Sequence, residues 1–235
     1  SHTKNRLIFA KEGFAIVALA WLAVSAVGAL PFFISREIPN YIDAFFETVS
    51  GFTTTGASIL TDVESMSKGL LFWRSFTHWI GGMGVFVFIL AITPLLGGST
   101  MNLMKAESTG PSISKLVPHV KDTAKILYII YIVLTLVEIL FLYFGGMPLF
   151  DSVLHSFGTA GTGGFGIKAD SVASYSAYHQ WVISIFMFIF GINFNVYYLL
   201  LIKRFRSILK SSELWAYIIL VLSSVALITA NIYPM

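Results

Sequence analysis

Two short stretches of this chain have the residue types that can hold a cation stripped of its water. The first is Ser50-Gly51-Phe52-Thr53-Thr54-Thr55-Gly56-Ala57-Ser58. The second is Gly158-Thr159-Ala160-Gly161-Thr162-Gly163-Gly164-Phe165-Gly166. Glycine permits the unusual backbone angles of a tight loop. Small residues let the chain run with its carbonyls pointing inward, and threonine hydroxyls add further oxygens. Carbonyl rings of this kind replace the hydration shell of an ion in a selectivity filter. A single Gly/Thr stretch between helices is commonly a plain turn. Two copies in matched surroundings favour pore loops.

The surroundings are those of a membrane. The chain is 56% hydrophobic and 11% charged, with a mean hydropathy of +0.80. Soluble domains carry about 25% charged residues, so the composition argues for an integral membrane protein. The absence of cysteine excludes disulfides and thiolate metal sites. The net charge of +3 is modest, and no cleavable signal peptide is evident. Runs about 20 residues long cross the hydrocarbon core. Membrane-crossing helices are predicted at about 13–34, 72–96, 125–144, 180–202 and 213–233. None of these runs alternates with period two, which argues against strands.

Two shorter apolar runs, 41–52 and 148–160, have the length of re-entrant segments, and each leads directly into a Gly/Thr stretch. The order is therefore helix, half-helix, loop, helix, and then the same again. Pro39 and Pro148 precede the loops at similar distances, and Trp73 and Trp181 follow them. Gly56 pairs with Gly163 in this reading, and the two copies are expected to pack around a shared axis. The expected fold is an all-α membrane protein of repeated helix–re-entrant pore loop–helix units. Its parts are 1–124, the first repeat with a cytoplasmic linker; 125–212, the second repeat with a basic loop; and 213–235, the opening helix of a third.

Basic residues set the orientation. Lys4, Arg6, Lys11, Lys105, Lys115, Lys121, Lys125, Lys203, Arg204, Arg206 and Lys210 fall on one side, predicted to be cytoplasmic together with the N-terminus. Arg36, Lys68, Arg74 and Lys168 fall on the other, with the acids Glu37, Asp43, Glu47, Asp62, Glu64, Asp151 and Asp170. Both Gly/Thr loops lie on this acid-rich outer side. Each half-helix would aim its negative C-terminal end at the pore, favouring a cation.

Four polar residues carry open readings. Glu47 in the first half-helix caps or braces the loop, or shapes the outer vestibule. Glu138 in the middle of a span is a structural carboxyl or part of an ion site. Asn193 and Asn195 face a cavity below the loops or hydrogen-bond between helices. Gly81, Gly82 and Gly84 suit close helix packing ahead of a gating hinge. His78 and the other histidines lack partners at metal-ligand spacing, which makes zinc chemistry improbable.

These residues carry a resemblance. GFTTTGAS at 51–58, WRSFTHWIGGMG at 73–84, TAGTGGFG at 159–166, AESTGP at 106–111 and GALPF at 28–32 resemble the superfamily of K⁺ transporters that contains TrkH, KtrB and the plant HKT proteins. It covers nearly the whole chain and is most similar to the TrkH branch. The resemblance implies four linked helix–pore loop–helix repeats, of which two are complete here. It therefore implies a fragment; two copies supplying four filter strands is the rival arrangement. Carried over to this sequence, the filter would use Thr54, Thr55, Gly56 and Ala57, with Gly161, Thr162, Gly163 and Gly164. K⁺ would be held at Thr55, Gly56, Thr162 and Gly163. Gly56, where some plant members carry serine, suggests K⁺ over Na⁺.

The implied function is K⁺ uptake across a bacterial inner membrane, with no enzymatic step and no covalently bound cofactor. The implied partners are K⁺, the lipid bilayer, a second copy in a homodimer and a cytosolic TrkA-like nucleotide-binding subunit; nucleic acid is not among them. The basic loops at 105–125 and 203–210 follow the positive-inside rule, touch anionic lipid or dock that subunit. Two other function classes compete. A secondary transporter with paired re-entrant hairpins would need polar side chains at a midplane site, and these are scarce. An intramembrane enzyme would need Glu138 within reach of a histidine.

Overall fold

A computed structural model of the chain describes residues 10–84 and 120–232. The described residues are helical, with no strand among them. They fall into two compact units, within residues 1–190 and 191–235.

The first unit opens with α1 (Ala10–Gly28) and the short α2 (Leu30–Ile34). Together they provide a window, Val17–Ile34, long and apolar enough to cross a membrane. The half-helix α3 (Tyr41–Phe52) follows. Asn40 starts it: its side-chain oxygen accepts the amide of Ile42 at 3.0 Å, satisfying a donor that the first turn would leave free. Asp43 in that turn complements the helix dipole. Twelve residues span about 18 Å at 1.5 Å each, well short of the ~30 Å hydrocarbon core.

Helix α4 (Lys68–Gly82) begins after Ser67, earlier than the predicted residue 72. The rest of the predicted 72–96 span, with the AESTGP motif and the basic residues Lys105 and Lys115, lies outside the described residues. The 25-residue α5 (Val120–Phe144) contains a second membrane-length window, Lys125–Phe144. The second half-helix, α6 (Leu149–Ala160), starts after Pro148 and carries Asp151 in its first turn. Helix α7 (Ala177–Phe190) closes the unit.

Helix α4 ties the unit together. Trp73 Nε1 donates to the carbonyl of Gly28 at the end of α1, at 2.9 Å. Trp79 Nε1 donates to Thr135 Oγ1 on α5 at 3.1 Å, and the Tyr131 hydroxyl returns a bond to the carbonyl of Trp79 at 2.8 Å. Phe157 of α6 packs against Phe72, Phe76 and Trp79 with centroids 5.3–6.0 Å apart. A buried apolar cluster that includes Ala29, Phe32, Leu71, Leu154 and Ile167 joins both halves of the unit.

The second unit contains α8 (Phe194–Leu201), α9 (Phe205–Leu209) and α10 (Ser212–Ile232). The predicted continuous helix 180–202 is instead interrupted between Phe190 and Phe194, where Gly191 lowers helix propensity. Trp215 Nε1 donates to the carbonyl of Leu209 at 2.9 Å. Helix α10 is the third membrane-length element.

Candidate ion-conduction site

The two Gly/Thr stretches leave their half-helices in the same way. After α3, the amides of Thr53 and Thr54 donate to the carbonyls of Val49 and Gly51 at 2.8 and 3.0 Å. After α6, the amides of Gly161 and Thr162 donate to Phe157 and Thr159 at 3.3 and 2.8 Å. Thr54 and Thr162 then take left-handed φ values of 55° and 58°. Gly56 and Gly164 follow at 75° and 67°, a region that costs a residue with a side chain roughly 1–2 kcal/mol.

These matches share one shift of 108 positions, from Tyr41 to Leu149, Thr54 to Thr162 and Gly56 to Gly164. The backbone therefore aligns Gly56 with Gly164, one residue past the Gly163 suggested by motif spacing. Gly163 has a different relation to the first loop, which it touches. A Cβ on Gly56 would collide with the carbonyl of Gly163, and a Cβ on Gly163 would lie 2.6 Å from the carbonyl oxygen of Thr54. Stretches a hundred residues apart in sequence thus meet backbone to backbone. Only glycine allows that approach.

Helix α4 passes under both half-helix ends. A Cβ on Gly81 would strike the carbonyl of Phe52, and one on Gly82 would come within 3.1 Å of the carbonyl of Ala160. Consecutive small residues thus let one helix touch the C-termini of α3 and α6, which brings their negative dipole ends to one place. The His78 ring, fully buried, lies against Gly161 and Gly163. It stacks on Phe165 with centroids 5.1 Å apart.

The ends of the loops beyond the left-handed glycines are held by side chains. Ser50 Oγ donates to the carbonyl of Ala57 at 2.5 Å, so one lone pair of that oxygen turns toward α3. Glu47, buried in α3, accepts from Ser58 Oγ at 2.9 Å and from the Ile59 amide at 2.9 Å. Its other partner is Arg74 of α4, whose Nε lies 2.6 Å from Glu47 Oε1. Arg74 Nη1 donates to the carbonyl of Gly166 in the second loop at 2.6 Å. The residue is only 2% exposed. Motif and charge reading missed this role for Arg74, which counts there as one of the outer cations. The available signal was a lone arginine inside an otherwise apolar helical run.

The remaining polar residues lie elsewhere. Glu138 is fully buried on α5 and faces the Thr159 hydroxyl of α6. Neither carboxyl oxygen makes a well-formed hydrogen bond among the described residues. In the second unit, Asn193 Nδ2 donates to Glu213 Oε1 at 2.9 Å; the side chain of Asn195 lies outside the described residues. A cavity of about 140 Å³ sits behind the second loop, lined by residues that include His155, Thr159, Gly164, Ser184 and Met187. Above it, the Tyr175 hydroxyl donates to Asp151 Oδ2 at 2.9 Å. Burial and that carboxylate push the phenol well above its usual range, so it remains a donor at any physiological pH.

Apolar helices of membrane length and paired half-helices that end in Gly/Thr loops are the features of a helical membrane protein. The sequence profile of the TrkH family, described as cation transport protein, matches residues 1–225. The chain belongs to the TrkH family of cation transport proteins. It is 44% identical to the Trk system potassium uptake protein TrkH of Salmonella typhimurium, over 83% of this chain and 41% of that one. It is 33% identical to the Trk system potassium uptake protein TrkG of Escherichia coli, over 95% of this chain and 47% of that one. The crystal structure of the potassium transporter TrkH from Vibrio parahaemolyticus superposes with a TM-score of 0.65 at 34% identity, covering 84% of this chain and 39% of that one. The chain thus spans less than half the length of these relatives.

Proposed function

We propose that this chain supplies two strands of a selectivity filter in a K⁺ uptake protein of the bacterial inner membrane. The observation that carries the reading is the meeting of the two Gly/Thr loops at Gly56 and Gly163, with matched left-handed turns at Thr54/Gly56 and Thr162/Gly164. K⁺ arrives from the acid-rich outer side, where carboxylates raise the local cation concentration. It sheds water and is held by backbone carbonyls of Thr54, Thr55 and Gly56 on one strand and Gly161, Thr162, Gly163 and Gly164 on the other. The convergent C-terminal ends of α3 and α6 add a favourable field for the cation. The membrane potential drives it inward.

Two strands are half of the filter expected for a four-repeat protein, so two further strands, from elsewhere in a longer transporter or from a second copy, complete it. That transporter is a homodimer, gated by a cytosolic TrkA-like nucleotide-binding subunit. The names of the relatives as parts of a Trk potassium uptake system support K⁺ as the cargo.

The test uses the full reading frame that carries this chain, expressed in a strain lacking its own K⁺ uptake. The parent is expected to restore ⁸⁶Rb⁺ uptake and growth on low K⁺. Gly56→Ser and Gly164→Ser are expected to weaken discrimination of K⁺ from Na⁺ by about tenfold, because a side chain strains the left-handed backbone at either position by roughly 1–2 kcal/mol and about 1.4 kcal/mol is a factor of ten. Unchanged discrimination in both variants would sink the filter assignment.

A further inference from the structure

We propose that the Glu47–Arg74 pair is a positioning strut that sets ion preference by holding the two filter strands at a fixed separation. The inference rests on the reading of the loops as filter strands. It names two side chains that touch no ion yet fix where the ion's ligands stand.

The contacts run as a chain. The outer end of the first loop, at Ser58 Oγ and the Ile59 amide, bonds Glu47. Glu47 bonds Arg74 Nε at 2.6 Å. Arg74 Nη1 bonds the carbonyl of Gly166 in the second loop, 92 residues further on. The guanidinium also lies 3.4 Å from the centroid of the Phe165 ring, within cation–π range. Ser58 and Gly166 occupy the same place in their loops, related by the shift that relates Gly56 to Gly164. The strut therefore grips equivalent points on the two strands, each two residues beyond the left-handed glycine.

Holding helices together does not require this pair. Taking two charges out of water costs several kcal/mol per ion, and well-packed apolar residues often replace such a pair without loss. What apolar residues cannot supply is direction. A planar guanidinium offers Nε and Nη1 at a fixed angle, so it can hold a carboxylate and a carbonyl at once. The second repeat shows that the fold does not demand the arrangement. There the position of Glu47 is His155 and that of Arg74 is Val182. His155 Nε2 has no hydrogen-bond partner among the described residues, and a cavity opens beside it. The strut is a feature of the junction between these two strands.

The experiment places Arg74→Lys and the double variant E47Q/R74Q in the full reading frame. It measures membrane content by immunoblot and ⁸⁶Rb⁺ uptake in competition with Na⁺. Lysine keeps the charge and loses the fork. The double variant leaves no lone buried charge. Both are expected to reach the membrane at the parental amount, to transport, and to lose K⁺-over-Na⁺ preference by about tenfold or more. Parental preference in either variant that reaches the membrane overturns the strut. Failure of both to accumulate also overturns it, because the pair would then serve folding. A parent that does not prefer K⁺ to Na⁺ overturns the filter reading itself, which separates the two failures.

Discussion

Gly163 and Gly164 are neighbours that do different jobs, and their substitutions fail for different reasons. A Cβ on Gly163 would run into the His78 ring and sit 2.6 Å from the Thr54 carbonyl. A Cβ on Gly164 would meet only the Met187 methyl, at 3.9 Å; its obstacle is a φ of 67°. Asparagine visits that region more readily than branched residues do. Gly164→Asn is therefore expected to melt close to the parent in detergent, whereas Gly164→Val loses a further 1–2 kcal/mol, roughly. Gly163→Ala is expected to fall by about 1–3 kcal/mol through overpacking. Equal melting temperatures for Gly164→Asn and Gly164→Val would contradict the backbone argument. Motif spacing located both glycines and paired Gly56 with Gly163, whereas the backbone angles match it to Gly164, because two adjacent glycines look alike until those angles are known. Arg74 was legible only as a charge. Its partners lie 27 residues before it and 92 after it, and no local pattern encodes such distances.

Elements were easier to read than contacts. The half-helices at 41–52 and 148–160 were legible because each is a short apolar run with a proline at or just before its start and a Gly/Thr stretch at its end. The structure places them at Tyr41–Phe52 and Leu149–Ala160. The run 180–202 misled, because its long charge-free composition outweighed a single Gly191, where the helix breaks. Helix α4 shows what an element's small residues can do. Gly81 and Gly82 were legible as a packing face, but the surfaces they meet, the ends of α3 and α6, were not. Gly82→Leu should push α4 away from the Ala160 carbonyl and the Tyr131 hydroxyl. Overpacking of this kind costs about 1–3 kcal/mol, so the detergent melting temperature should fall by several degrees. An unchanged melting temperature would mean that α4 can move aside freely. The two hydrogen bonds that tie Trp79 to Thr135 and Tyr131 of α5 argue against that freedom.

At the scale of the molecule, the open question is which side of the membrane each loop faces, and charge supplies the argument. Lys203, Arg204, Arg206 and Lys210 cluster between α8 and α10, whereas Asp151, Asp170, Asp62 and Glu64 surround the connections that follow the Gly/Thr loops. Basic residues in short loops remain on the cytoplasmic side. Burial refines the count. Arg74 and Glu47 neutralise each other inside the protein, so neither speaks for topology, and the acid excess on the side of the Gly/Thr loops survives their removal. The chain has no cysteine, so in the full reading frame, with any cysteine outside these residues replaced, a single introduced thiol reports its own location. Ala173→Cys, exposed in the connection after the second loop, is expected to react with a membrane-impermeant maleimide in intact cells whose outer membrane has been opened. Ser207→Cys, exposed among the basic residues, is expected to react only after the inner membrane is permeabilised. The reverse pattern would place the Gly/Thr loops on the cytoplasmic side and reverse the direction of ion entry. Labelling of both thiols in intact cells would mean that the run 180–202, which separates them, does not cross the membrane. The half-helices, at about 18 Å, are too short to cross without thinning the bilayer around them.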